Sequence, residues 1–163
     1  MRRQSLGLST TALVAAIYSI LTVALGELGY SWLQVRISEA LTPLPFLIGF
    51  PGVAGLTLGC VVANLFSPVG LPDIIFGPLL TLCAALLSWK ANFGKRVFAC
   101  IYPIAINAFG VSLYVSSYYG VPYAISFTTI IVGESIAALL IGYPLLILME
   151  KATRALGIQE FER

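Results

Sequence analysis

The sequence predicts an all-α, polytopic membrane protein with six transmembrane helices and with its N- and C-termini in the cytoplasm. Apolar residues make up 59% of the 163 residues, and the mean hydropathy is +0.97. Only 10% of the residues are charged, against roughly a quarter in an ordinary soluble domain. These values exclude a soluble globular enzyme, a disordered chain and a nucleic-acid-binding domain with a basic surface. Because the chain has no His, the commonest metal ligand, we expect no metal site and no cofactor.

The chain length limits what can accompany the helices. Six helices of about 20 residues each use about 120 residues, so the loops must be short. We therefore expect a single integral membrane domain over residues 1–163, in the cell membrane. The first apolar run is longer than a usual signal-peptide core, which favours a retained helix. The predicted spans cover about residues 8–28, 37–50, 52–66, 72–89, 97–118 and 124–149.

The number of crossings is decided by the distribution of positive charge. The second and third spans are short, and Pro43 and Pro45 interrupt the second, so one broken span over residues 37–66 is the alternative. Five crossings would place Lys90, Lys95 and Arg96 outside, against the positive-inside rule. Six crossings leave only Arg36 outside and predict a cytoplasmic face with Arg2, Arg3, Lys90, Lys95, Arg96, Lys151, Arg154 and Arg163.

An acidic residue deep in the sixth span is the strongest candidate for function. Glu134 lies about ten residues into that span, and Asn107 lies at a similar depth on the preceding antiparallel helix. An ionised carboxylate at this depth costs several kcal/mol unless it is paired or wet. Glu134 should therefore face the bundle interior. It either makes a structural hydrogen bond, to Asn107 or Arg36, or binds a ligand in a polar cavity open to the outside.

The other polar residues of the outer half leave more alternatives open. Glu39 either binds a ligand or pairs with Arg36, three residues earlier. Glu27 and Asp73 are expected to be boundary acids only, since Asp73 suits the positive end of its helix. The remaining candidates are Asn64, near the outer end of the third span, and the aromatic residues Tyr30 and Trp32, which either belong to an interfacial belt or stack on a planar ligand.

No motif for catalysis is present. Trp89 stands where a phosphate loop would need its first Gly, and neither GxSxG nor HExxH occurs. The three cysteines lie in apolar runs without CxxC spacing and are expected to be packing residues. We therefore predict a protein that is not an enzyme.

The first span carries two faces of small residues. One contains Ala12 and Ala16, and the other contains Thr11 and Ala15. Such faces allow helix backbones to approach closely in lipid, either within one chain or between subunits.

The segment at residues 34–45, QVRISEALTPLP, resembles the hallmark of the QueT family. These are substrate-binding S components of energy-coupling factor (ECF) transporters. The resemblance implies capture of a queuosine precursor, 7-aminomethyl-7-deazaguanine or queuine, from outside. It also implies partners, namely a transmembrane EcfT-like coupling subunit and two cytoplasmic ATPases, and delivery of the substrate by toppling of the S component in the membrane.

The resemblance extends to particular residues. It implies a docking face at Ala12 and Ala16, and it supports Glu39 as a ligand-binding residue. The substrate-binding set expected from the residues and the resemblance together is Glu39, Glu134, Asn107, Arg36, Asn64, Tyr30 and Trp32. The alternatives are an S component for another vitamin, or a stand-alone secondary carrier or channel that uses Glu134 as a proton site.

Overall fold

The regular elements of the chain are all helical in the part described by the computed structural model, which covers residues 2–26, 30 and 36–155. Four continuous helical stretches there are long and apolar enough to cross a membrane, and two apolar helical stretches are shorter. The polytopic all-α architecture predicted from the sequence is confirmed. In chain order the elements are α1 (Arg2–Ala24), a 3-10 helix (Ile37–Leu41), α2 (Pro45–Ile48), α3 (Phe50–Asn64), α4 (Leu71–Lys90), α5 (Arg96–Tyr119), α6 (Tyr123–Ser135), a π-helix (Ile136–Gly142) and α7 (Tyr143–Ala155).

The directions of α1 and α3 account for the sixth crossing. These two helices run parallel, because Gly7 lies beside Pro51 and, further along both helices, Tyr18 lies beside Gly59. The chain between them must therefore return across the bundle, and the short helical stretch Ile37–Ile48 provides that crossing. Its two prolines explain why it is a 3-10 helix followed by a short α-helix and not one continuous helix.

The two ends of the bundle differ in chemistry. At one end, the Tyr30 hydroxyl donates to the Ala63 carbonyl and the Tyr119 hydroxyl donates to the Tyr30 carbonyl, at 2.5 and 2.7 Å. This end corresponds to the outer side of the predicted topology. The opposite end, called here the basic end, carries Lys90, Lys95, Arg96, Lys151 and Arg154.

Helices α1 and α3 pack so closely that glycine is required at the contact. A Cβ atom added at Gly59 would lie 2.8 Å from the Ala15 carbonyl oxygen and 2.9 Å from Tyr18 Cβ. We expect Gly59→Ala to lower the free energy of unfolding by about 1–3 kcal/mol, because backbone must move to admit the methyl group. Thermal unfolding in detergent measures the change.

Gly7→Ala is the matched control, since its added Cβ would meet only Pro51 Cγ at 3.7 Å. This substitution should be neutral or stabilising by up to about 1 kcal/mol, because alanine is the better helix former. Equal effects of the two substitutions would contradict the close contact of α1 with α3.

Candidate ligand-binding site

The 3-10 helix presents Glu39 to the interior of the bundle. Glu39 is only 2% exposed, and the Tyr18 hydroxyl of α1 donates to its Oε1 at 2.5 Å. A second contact joins the same two elements, with the hydroxyl oxygens of Thr22 and Ser38 2.7 Å apart. The other carboxylate oxygen, Glu39 Oε2, is buried and has no hydrogen-bond partner among the residues that the structure describes. α1 therefore holds one side of this carboxylate and leaves the other available.

Arg36 forms its ion pair with Asp73, at 3.2 Å between Nη2 and Oδ2. The sequence leaves the partner of Arg36 open between Glu39 and Glu134 and treats Asp73 as a boundary acid, whereas the structure pairs Arg36 with Asp73. The Tyr114 hydroxyl of α5 donates to Asp73 Oδ1 at 2.7 Å. Asp73 lies in the first turn of α4, beside the beginning of the second crossing. The spacing of Arg36 and Asp73 along the chain does not predict this contact.

Glu134 and Asn107 meet as their similar depth on antiparallel helices predicts. Asn107 Nδ2 donates to Glu134 Oε1 at 2.9 Å, and the two residues are 5% and 4% exposed, respectively. Glu134 Oε2 is buried and has no hydrogen-bond partner within the described part of the chain. The amide orients one oxygen of the carboxylate and leaves the second free to accept hydrogen bonds.

These groups form one electrostatic cluster. Arg36 directly precedes the 3-10 helix that contains Glu39, and Gly142, on the π-helix that follows Glu134, packs against Ala40 of the same 3-10 helix. Within residues 4–89 of the sequence, Arg36 is the single basic residue. Among the described residues, the cluster thus holds three carboxylates, of Glu39, Asp73 and Glu134, and one guanidinium, that of Arg36, which is paired with Asp73. Burial of uncompensated negative charge is costly, so this arrangement suits a ligand that brings positive charge and N–H donors.

A π-helix brings the two carboxylate-bearing elements together. It spans Ile136–Gly142 and begins two residues after Glu134. At its end, Gly142 lies against the 3-10 helix, where an added Cβ would be 2.7 Å from the Ala40 carbonyl oxygen. π-helical turns are rare and frequently lie at functional sites. The missing Cβ of Gly142 allows the π-helix that follows Glu134 to pack closely against the 3-10 helix that carries Glu39.

The remaining candidates have other surroundings. Asn64 is fully buried, and its Nδ2 donates to the Asp73 carbonyl at 2.7 Å, so it supports the Arg36–Asp73 pair. Tyr30 is 4% exposed, and the Arg36 guanidinium lies 5.5 Å from the centre of its ring. Both residues contact the cluster through Arg36 or Asp73. Trp32 lies outside the described residues.

Sequence reasoning did not find Tyr18 and Tyr114. Tyr114 lies near the outer end of its span, where tyrosines are common in membrane proteins. Tyr18 lies in the middle of the first span, and neither tyrosine belongs to a recognisable motif. Only their hydroxyl contacts with Glu39 and Asp73 assign them to the cluster.

A groove of about 570 Å³ lies between α4 and α5. Its walls are mostly apolar, and Tyr114 is the residue that it shares with the acidic cluster. It does not contain Glu39 or Glu134, so the groove and the cluster are separate features. The lining residues are Pro72, Phe76, Leu79, Leu80, Gly110, Leu113, Tyr114, Ser117 and Tyr118.

The two small-residue faces of α1 have different environments. The backbone at Thr11 and Ala15 lies against the glycines of α3, whereas the side chains of Ala12 and Ala16 are exposed. The first face is used within the chain, and the second is accessible from outside the described part of the bundle.

Carboxylates buried among membrane-spanning helices are typical of proteins that bind or transport polar solutes, and not of passive membrane anchors. The family model described as QueT transporter matches residues 8–151. The chain belongs to this family and is a multi-pass membrane transporter. No curated protein and no solved structure matches the chain.

Proposed function

We propose that this transporter is the substrate-binding S component of an ECF transporter and that it captures a queuosine precursor, 7-aminomethyl-7-deazaguanine or queuine. One observation supports this most directly. Glu39 and Glu134 each keep a buried oxygen that no described residue hydrogen-bonds, while Arg36 is paired with Asp73. A ligand with a cationic amine and several N–H groups supplies the positive charge and the hydrogen-bond donors that these oxygens lack.

The two carboxylates suit different parts of such a ligand. Glu134, held by Asn107, accepts two adjacent N–H bonds from the guanine-like edge of the base, and the Asn107 amide oxygen adds an acceptor beside it. Glu39, held by Tyr18, pairs with the amine. Charge-assisted hydrogen bonds of this kind contribute about 1.5–3 kcal/mol each. Because both acids are at most 4% exposed, a ligand enters only when the packed elements around them separate, which slows association.

Energy for uptake comes from partners in this proposal. A transmembrane EcfT-like coupling subunit docks on the exposed Ala12 and Ala16 face, and two cytoplasmic ATPases drive toppling of the loaded protein. Small exposed residues on a spanning helix suit close contact with another membrane helix.

Equilibrium binding to the purified protein tests the substrate. Isothermal titration with 7-aminomethyl-7-deazaguanine and with queuine is expected to show tight binding of at least one base. Absence of measurable binding of both would overturn the substrate assignment. The buried carboxylate of Glu134 also suits a stand-alone carrier with a proton site. Uptake into vesicles that contain only this chain, without ATPases, would favour that carrier.

Bulky residues at the exposed face of α1 should separate docking from ligand binding. We expect Ala12→Leu with Ala16→Leu to leave ligand affinity unchanged but to lower recovery of the complex with the coupling subunit at least about tenfold, since the helices can no longer approach closely. Co-purification measures assembly. Ala124→Leu, which enlarges an exposed residue of α6, is the matched control. Normal assembly of the double variant would remove the docking assignment.

A further inference from the structure

The loop between α4 and α5, residues 91–95, exposes an aromatic side chain at the basic end. Phe93 is 76% exposed. Its φ angle is 50°, and Gly94 follows with φ 72°. A left-handed backbone is ordinary for glycine but a real outlier for a bulky residue such as phenylalanine. Strain of this kind persists only when the surroundings impose it, and it concentrates at functional sites.

The surroundings of Phe93 do impose this conformation. The Asn92 side chain donates from Nδ2 to the Ser88 and Trp89 carbonyls, at 3.0 and 2.7 Å, which satisfies the end of α4. Its Oδ1 accepts from the Gly94 amide at 2.8 Å. The loop is thus an ordered turn, held by these hydrogen bonds, in which the Phe93 ring is exposed. It is not a frayed helix end.

Two lysines flank Phe93 along the chain. Lys90 ends α4, with its Nζ 3.6 Å from the centre of the Trp89 ring, and Lys95 directly precedes α5. At the same end of the bundle, the carboxylate of Glu150 is contacted by both Arg96 and Arg154. Glu150 therefore does not neutralise the two lysines that flank Phe93.

We propose that the loop with Phe93, Lys90 and Lys95 binds an anionic phospholipid. The lysines contact the phosphate of the headgroup, and the phenyl ring enters the boundary between headgroups and acyl chains. Clusters of cations beside membrane helices attract anionic lipids, and aromatic rings anchor chains at the membrane interface. The outward ring selects a lipid over free phosphate, because only a lipid offers acyl chains next to the charge. This site is independent of the proposed substrate and partners.

Fluorescence quenching by brominated lipids tests the proposal. The chain has two Trp residues, so a Trp32→Phe background leaves Trp89, next to Lys90, as the reporter. The protein is reconstituted in vesicles of phosphatidylcholine with increasing phosphatidylglycerol, and one lipid at a time is brominated. We expect phosphatidylglycerol to be preferred near Trp89 at least about threefold. In about 0.5 M salt, where charges are screened over a few ångströms, the ratio of the affinities for phosphatidylglycerol and phosphatidylcholine should fall towards one.

Substitutions at the loop separate the contributions of charge and ring. Lys90→Gln with Lys95→Gln should abolish the preference, and Lys90→Arg with Lys95→Arg should keep it, because the charge is retained. Phe93→Ser should lower the preference at least about twofold. Phe66→Ser, at a residue that is 64% exposed near the other end, is the matched control and should leave it unchanged.

Two results would overturn the lipid site. One is an equal affinity of the Trp32→Phe protein for the two lipids. The other is a preference that survives in the Gln variant while its assembly with the coupling subunit is weakened, which would assign the loop to a protein partner. Circular dichroism of each variant checks that its helices are intact.

Discussion

Glutamine in place of Glu134 is expected to weaken binding of 7-aminomethyl-7-deazaguanine at least tenfold, which corresponds to about 1.4 kcal/mol. The substitution keeps the size of the side chain and keeps an oxygen that can accept the Asn107 hydrogen bond. It removes the negative charge and replaces the free oxygen, Oε2, by an amide that donates towards the N–H groups of the base. An unpaired polar contact in a buried site is costly. Isothermal titration of the purified variant measures the effect.

Two variants make this result specific. Ser135→Ala changes the next residue, whose hydroxyl donates to the Ile131 carbonyl of its own helix at 2.6 Å, and should retain wild-type affinity. Glu39→Gln should also lower the affinity for 7-aminomethyl-7-deazaguanine at least about tenfold. Its effect on the affinity for 7-cyano-7-deazaguanine should be smaller, because that base has no aminomethyl group to pair with Glu39. Wild-type affinity in both Gln variants would remove these carboxylates from the binding site.

Breaking the buried ion pair should have the largest effect on stability. Arg36→Met is expected to lower the free energy of unfolding by about 3–5 kcal/mol, because it leaves a carboxylate without its counter-ion at Asp73, which is fully buried. Unfolding in detergent measures the loss. Adding Asp73→Leu should restore at least half of it, since removing both charges costs less than removing one.

The ion pair at the basic end provides the control for this comparison. Arg154 is 67% exposed and contacts Glu150 at 2.6 Å. Because exposed pairs contribute little, Arg154→Met should cost no more than about 1 kcal/mol. If both methionine variants lost equal stability, or if Asp73→Leu worsened the Arg36 variant, the buried pair would not have the role assigned to it.

Sequence patterns predicted the broad architecture and one contact of the site. Apolar composition indicates a membrane, and the positions of the cations select six crossings. The meeting of Asn107 with Glu134 follows from counting helical rise along two antiparallel spans. These predictions need only the depth of each residue in the membrane, which follows from its position along a helix and the rise per residue.

The sequence did not predict which residues of different spans contact each other. The sequence leaves the partner of Arg36 open between Glu39 and Glu134, whereas the structure pairs it with Asp73. The two small-residue faces of α1 look alike in the sequence, and only the structure places Gly55 and Gly59 against the one with Thr11 and Ala15. A helix that is apolar all round carries no amphipathic signal to orient it.

The sequence by itself determined that this protein lies in a membrane, crosses it six times and carries a few acids in its outer half. Only the tertiary structure decided which of those acids are compensated. Asp73 is paired with Arg36, and Glu39 and Glu134 each keep a buried oxygen without a hydrogen bond from the part of the chain that the structure describes. The physical reason is that hydropathy and charge specify depth, whereas the rotation of each helix and its neighbours depend on close packing at positions such as Gly59 and Gly142.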